Sequence, residues 1–243
     1  MAANRRPLSP TARSLQRRGA GATNRGHRRL VGRRASWVVL GVVAIAVVAG
    51  VATQASRSRT SSSGPAPRHA LGANNSEIEG RPSAPVLVEE YADYQCPACG
   101  RFHQQVGPTI DGLVKSGTIR FAYHPFAFIG PESVAAASAA ECAGDEGKYF
   151  AIYDQLYAHQ FPENSGSLTD DFLVNLAKQA GVTRTATLER IRNGTYQGWV
   201  RRVTNQASER GITSTPTVLV DGQQLTEPTA KGLVAAVQNA LRA

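Results

Sequence analysis

The sequence predicts an α/β domain in which a block of helices interrupts a sheet, reached through a basic tail, one apolar segment of membrane length and a linker. Three observations carry that reading. An apolar run at residues 85–91 leads directly into Cys96-Pro97-Ala98-Cys99, helical periodicity continues from about Glu132 to Arg210, and strand character returns at 215–225. Strands separated by a long helical stretch point to helices packed on a sheet rather than to a bundle or a sandwich.

Pro85-Val86-Leu87-Val88-Glu89-Glu90-Tyr91 is short, apolar and bounded by Pro and by the cysteine motif, which suits a buried strand. From Pro97 onward Phe102, Val106, Ile110, Leu113 and Val114 follow helical spacing, with a kink expected at Gly107-Pro108. Thr118 to Tyr123 alternates with period two and predicts a second strand. Helices are then expected over Ser133–Ala143, over Lys148–His159, after a cap at Ser167 or Thr169, over Thr187–Arg192 and over Gln197–Glu209. Thr215 to Leu225 reads as a strand, an Asp221-Gly222 hairpin turn and a short second strand. The last helix, Thr229–Leu241, places Leu233, Val234, Val237 and Leu241 on one face.

Ahead of this domain, residues 1–34 hold ten arginines and no apolar periodicity, the pattern of a disordered basic tail. No charge occurs from Ala35 to Ala55, a stretch of about 30 Å as a helix and enough to cross a bilayer. The arginines before it put the tail in the cytoplasm and the C-terminal domain outside. A cleaved signal peptide is the alternative, but its apolar region is usually about 7–15 residues, so the longer run favours an uncleaved anchor. Arg33-Arg34 is read as a basic flank rather than as a twin-arginine export signal. Residues 56–76, rich in Ser, Arg, Gly, Pro and Ala, read as a flexible linker, leaving 77–243 as the folded domain.

The net charge of +9 belongs to the tail. Thirteen arginines and no acidic residue precede Glu77, whereas the fourteen basic residues after residue 76 face eighteen acidic ones, a net −4. Nucleic-acid binding by the folded domain is therefore not expected.

The chemistry concentrates at the cysteine motif. Residues i and i+3 share a helical face, so Cys96 and Cys99 lie within reach of a disulfide, a redox signal when the helix follows a strand. Pro97 suits the first helical position, leaving Cys96 at a helix N-terminus where free N–H groups favour its thiolate. Cys96 is the expected nucleophile and Cys99 the resolving thiol. Structural zinc needs four ligands, and only His103 or His124 could add to the pair, so no metal is expected. His103 reads as an exposed helix residue and His124 as structural. Cys142, among alanines, reads as a buried inert thiol, with an intermolecular disulfide as the lesser alternative.

Strand, Cys-x-x-Cys helix, strand, helical block, then Ser214-Thr215-Pro216-Thr217 before a hairpin and a last helix: over roughly 85–243 the chain resembles the DsbA-like branch of the thioredoxin superfamily. The resemblance implies a thioredoxin fold with an inserted helical domain at about 130–210. It also implies a cis-proline at Pro216 beside the disulfide, with Pro97, Ala98, Thr215 and Pro216 shaping the substrate groove. Glu90, six residues before Cys96, falls where the family keeps a buried acid able to exchange protons with Cys99. Period-two alternation sends Glu89 and Glu90 to opposite faces, so only one can fill that place, and position favours Glu90. One departure matters: the strongest oxidants of the family carry a histidine before the second cysteine, where this chain has Ala98, which implies a less stabilised thiolate.

The function implied is a membrane-anchored thiol–disulfide oxidoreductase that forms disulfides in exported proteins bearing cysteine thiols. No cofactor is expected. By resemblance, its electrons pass to a quinone-linked membrane oxidase of the DsbB or vitamin K epoxide reductase kind. A reductase or isomerase using the same motif, and a tethered peptide-binding or chaperone module with a structural disulfide, are the competing readings.

Overall fold

The computed structural model describes residues 64–243. The basic tail, the apolar run at 35–55 and the first part of the expected linker lie outside the described residues. Among the described residues no helix is long and apolar enough to cross a membrane.

Five strands form one sheet in the order β1-β3-β2-β4-β5. They are β1 (Glu77–Glu79), β2 (Val86–Ala92), β3 (Ile119–Pro125), β4 (Thr217–Val220) and β5 (Gln223–Gln224). β2 and β3 run parallel, and every other pair is antiparallel. A parallel pair needs a crossover, and α1 (Pro97–Lys115) supplies it. Phe102, Val106 and Ile110 bury its inner face. Gly107-Pro108 lies within α1, which continues past it to Lys115. Gln104 and Pro108 both lie on its exposed side, so the carbonyl that the proline leaves unpaired has solvent beside it.

Between β3 and β4 lie α2 (Pro131–Gly144), α3 (Tyr149–Ala158), α4 (Asp170–Gln179), α5 (Thr185–Arg192) and α6 (Gln197–Glu209). The insertion thus occupies the predicted interval. α2 is buried almost throughout from Ser133 to Gly144. Its alanines let neighbouring helices approach from several sides, which explains a helix with no polar face. Cys142 sits fully buried within it. Thr169 caps α4 by accepting from the Phe172 N–H, and Thr229 caps α7 (Ala230–Ala240) through Gly232. Asp221 and Gly222 both have positive φ, at 45° and 79°, as the predicted two-residue hairpin turn requires. The main apolar core runs from the sheet through the helical block, with Trp199, Ile152, Leu173 and Leu176 among its largest members, and Tyr91, Phe126 and Ala207 form a second, smaller cluster.

The stretch before residue 77 is tied to the domain where a linker is expected. The Arg68 and His69 N–H groups donate to Asp145 Oδ1 at 2.7 and 3.1 Å, and Ser76 is buried. β1 follows at once, pairing with β3 at the sheet edge. Three residues, two of them acidic, offer no alternation for a pattern to detect.

Candidate active site

The site assembles where β2 ends, α1 begins and β4 approaches. β4 lies beside β2 in the register Tyr91↔Thr217 and Glu90↔Val218, which carries the preceding Ser214–Pro216 loop to the start of α1. The Thr215–Pro216 peptide is cis. Cys96 is the N-cap of α1 with Pro97 at the first helical position, as the motif predicts. Its thiol donates to the Thr215 carbonyl at 3.7 Å, across 119 residues of sequence.

Both motif cysteines are free thiols, and their environments differ sharply. Cys96 keeps 8% of its surface, whereas Cys99 is sealed at 0%. A hydrogen bond from the Cys99 thiol, opposed by partial burial and helped by the Thr215 hydroxyl and by the N–H groups of Cys99 and Ala98, brings the Cys96 pKa down to about 5. Burial, with the neighbouring Cys96, pushes the Cys99 thiol far above its ordinary value. The helix start therefore splits two chemically identical groups into an anion and a retained proton.

Glu90 is fully buried, while Glu89 points to the other face and meets His124 Nε2 at 3.1 Å. His124 in turn stacks on Tyr91, with ring centroids 4.1 Å apart. Burial pushes the Glu90 carboxyl up to about 8; the Tyr153 hydroxyl, donating to Oε2 at 3.4 Å, holds it down in part, and the charge of Cys96 raises it further. Its Oε1 has no hydrogen-bond partner. Glu90 also acts on Cys99 through its charge, so these two proton holders are electrostatic neighbours.

The structure brings together Cys96, Cys99, Glu90, Thr215 and Pro216, with Pro97 exposed and Ala98 half-buried at the rim. His103 corrects the sequence reading: it is half-buried, stacked on Tyr157 and bonded to Asp154 Oδ1 at 3.1 Å. Several supporting residues escaped the sequence. Gln160 Nε2 donates to the carbonyls of Tyr94 and Cys96 at 2.7 and 3.1 Å, clamping the turn that carries the nucleophile. Gly100 leaves room for it, since a Cβ there would push the Gln160 carboxamide aside. Asp93 accepts from the N–H groups of Gln95, Phe128 and Ile129. Gln95 is buried between the Ser133 hydroxyl and the Asn164 N–H. None of these contacts has a local sequence signature, because their partners lie 35 to 69 residues away, apart from the Asp93–Gln95 turn.

The thioredoxin family matches residues 73–239 of the sequence. The chain belongs to the thioredoxin family. Its relatives include disulfide bond formation proteins, and its solved neighbours include DsbA proteins. The probable disulfide bond formation protein D of Bacillus anthracis is 26% identical over 168 residues, covering 67% of this chain and 77% of that protein. The solved reduced DsbA of Mycobacterium tuberculosis is 26% identical with a TM-score of 0.58, covering 71% of this chain and 91% of that one. A sodium/proton antiporter, NhaA 1 of Salinispora arenicola, is 30% identical over 150 residues. The match takes in 60% of this chain but only 22% of the antiporter's length. This thioredoxin-family chain is thus a DsbA-like thiol–disulfide oxidoreductase with the helical insertion of that branch.

Proposed function

We propose that the chain oxidises thiols in exported proteins from a position outside the cytoplasmic membrane, anchored through residues 35–55. The observation that carries the redox reading is the split between its two thiols, Cys96 poised as a partly accessible thiolate and Cys99 buried with its proton. A stabilised thiolate favours the reduced enzyme over its disulfide, which is what an oxidant requires.

In the oxidised state a client thiolate attacks Cys96 Sγ, and the Cys96–Cys99 bond breaks. The electron pair leaves on Cys99, which cannot persist as an anion in its buried setting and takes a proton. Glu90, protonated up to about pH 8, supplies it. A second client thiolate then attacks the client sulfur of the mixed disulfide, and Cys96 departs as the stabilised thiolate. The client gains one disulfide, and the two electrons rest on the Cys96–Cys99 dithiol. A quinone-linked thiol oxidase in the membrane, of the DsbB or vitamin K epoxide reductase kind, then restores the enzyme disulfide.

The Thr215 hydroxyl, otherwise unpartnered, is the side chain placed to turn towards the Cys96 thiolate once the Cys96 proton is gone. Ala98 supports a second reading, a weaker oxidant or isomerase, because its side chain adds neither charge nor donor to what its backbone N–H gives the thiolate. Equilibration with a glutathione buffer decides between them. An oxidase gives a potential well above about −270 mV, the value for thioredoxin, and Cys96→Ser abolishes oxidation of a reduced model client. A potential near that value, or oxidation surviving in Cys96→Ser, overturns the proposal. Protease digestion of intact cells tests placement: the domain is expected to be cleaved from outside.

A further inference from the structure

Away from the redox centre, one other group of ligand-type side chains converges among the described residues: His69, Glu77 and Glu141, whose donor atoms lie within 4.8 Å of one another. They come from three separate parts of the chain, the segment before β1, the start of β1 and α2. Glu141 is fully buried and Glu77 keeps 4% of its surface. None of the three takes part in the thiol chemistry.

Without a cation, this group is held by protons shared among buried carboxyls and one imidazole. His69 Nδ1 lies 2.9 Å from Asp145 Oδ1, and Nε2 lies 2.8 Å from Glu77 Oε1. A doubly protonated imidazole serves those two carboxylates, and Glu141 is left with a proton shared with Glu77. Neither Glu141 oxygen receives an N–H or hydroxyl donor, and one lies 3.6 Å from His69 Nε2. Two buried carboxyl groups thus crowd one imidazole nitrogen, an arrangement that a cation between them relieves.

We propose that His69 Nε2, Glu77 and Glu141 bind one divalent cation of borderline softness, Zn²⁺ in type, which staples the segment before β1 to the helical domain. The donor set is one imidazole and two carboxylates, a mixture that suits zinc better than the all-oxygen shells of calcium or magnesium. The spacing agrees. Metal–donor bonds of about 2.0–2.1 Å at tetrahedral angles place donors about 3.3 Å apart, and the observed 2.8 and 3.6 Å from Nε2 bracket that separation. Two carboxylate charges balance the cation, and a water can complete its shell.

The surroundings are those of a metal-bound histidine. With Nε2 on the cation, Nδ1–H donates to Asp145, the outer carboxylate that fixes tautomer and ring orientation. Asp145 is itself held by Arg190, by the Tyr196 hydroxyl at 2.6 Å and by the Arg68 N–H at 2.7 Å. The binding groups are thus set on a rigid support before any cation arrives.

The test uses the full chain in detergent with Cys96 and Cys99 oxidised, so that thiolates do not compete for metal. Calorimetric titration with ZnCl₂ is expected to give one site per chain and to raise the thermal midpoint relative to EDTA. Glu141→Gln and His69→Gln should each weaken binding tenfold or more. Glu141→Gln should keep its EDTA midpoint within a few degrees of wild type, showing that loss of binding is not loss of fold. The absence of a Zn²⁺-dependent shift, or a shift that persists in both variants, overturns the site. Calcium binding equally tightly to wild type and to His69→Gln overturns the zinc assignment. Because thiol oxidation is not the readout, failure here leaves the redox proposal standing.

Discussion

The Tyr153 hydroxyl donates to Oε2 of the buried Glu90 carboxyl at 3.4 Å, close enough to the redox pair that Glu90 acts electrostatically on Cys99. Tyr153 also lines a groove of about 800 Å³ between α1 and α3, shared with His103, Asp154 and Gln160. One side chain therefore touches the buried acid and borders a solvent-accessible space.

Replacing Tyr153 with Phe removes the one side chain that holds the Glu90 pKa down. The Glu90 titration in Tyr153→Phe should move to a higher pH than about 8, visible in the carboxyl infrared band and in the pH dependence of thiol release at Cys99. An unmoved profile would remove Tyr153 from the proton path.

Glu90→Gln should slow release of Cys99 from the enzyme disulfide, since no proton donor stands beside it. Stability gives a second readout. The folded pKa of about 8 lies above the ordinary carboxyl value, so Glu90 favours folding below about pH 4.5 and loses that contribution as pH rises through 8. At pH 7 the buried acid costs about 3 kcal/mol by this linkage, and Glu90→Gln should flatten the fall in stability between pH 5 and 8. Parallel curves from urea unfolding would contradict the assignment.

Alkylation of reduced enzyme by iodoacetamide should reach half its maximal rate near pH 5, with Cys96 as the modified residue. The sign for stability is opposite to that of Glu90. A depressed thiol pKa stabilises the folded dithiol above the unfolded value near 8.5–9, and this gain is lost as pH falls through 5. Reduced enzyme should therefore gain on the disulfide form between pH 5 and 9, as denaturant titrations of both forms would record.

Ala98→His places an imidazole at the rim beside Cys96. One charge-assisted contact to the thiolate is worth about 1.5–3 kcal/mol, and 30 mV corresponds to about 1.4 kcal/mol for this two-electron couple. The potential should rise by at least about 30 mV below pH 6. A fall, or no change, would show that residue 98 does not set oxidising strength here.

Much of this architecture is legible in the chain because the informative patterns are local. Cys96-Pro97-Ala98-Cys99 contains its own helix start, Asp221-Gly222 its own turn, and the alternation at 118–123 its own strand. That only one of Glu89 and Glu90 could be buried follows from the two faces of a strand, and the family position pointed to Glu90; Glu90 is the buried one, and Glu89 meets His124. What escaped is what depends on distance in sequence. Gln160 reaches the Cys96 carbonyl across 64 residues, and Tyr153 reaches Glu90 across 63, with nothing nearby to announce either. His103 misled for a similar reason, since the aromatic wall that half-buries it belongs to α3.

Asp93 joins the loop ahead of Cys96 to the loop that follows β3. Its Oδ1 holds the Gln95 N–H just ahead of Cys96, and its Oδ2 holds the N–H groups of Phe128 and Ile129. Phe128 is half exposed to solvent. A polypeptide pressing on that ring therefore loads a single carboxylate that also anchors the backbone of the nucleophile, so contact and reactivity at this end of the domain share one mechanical support.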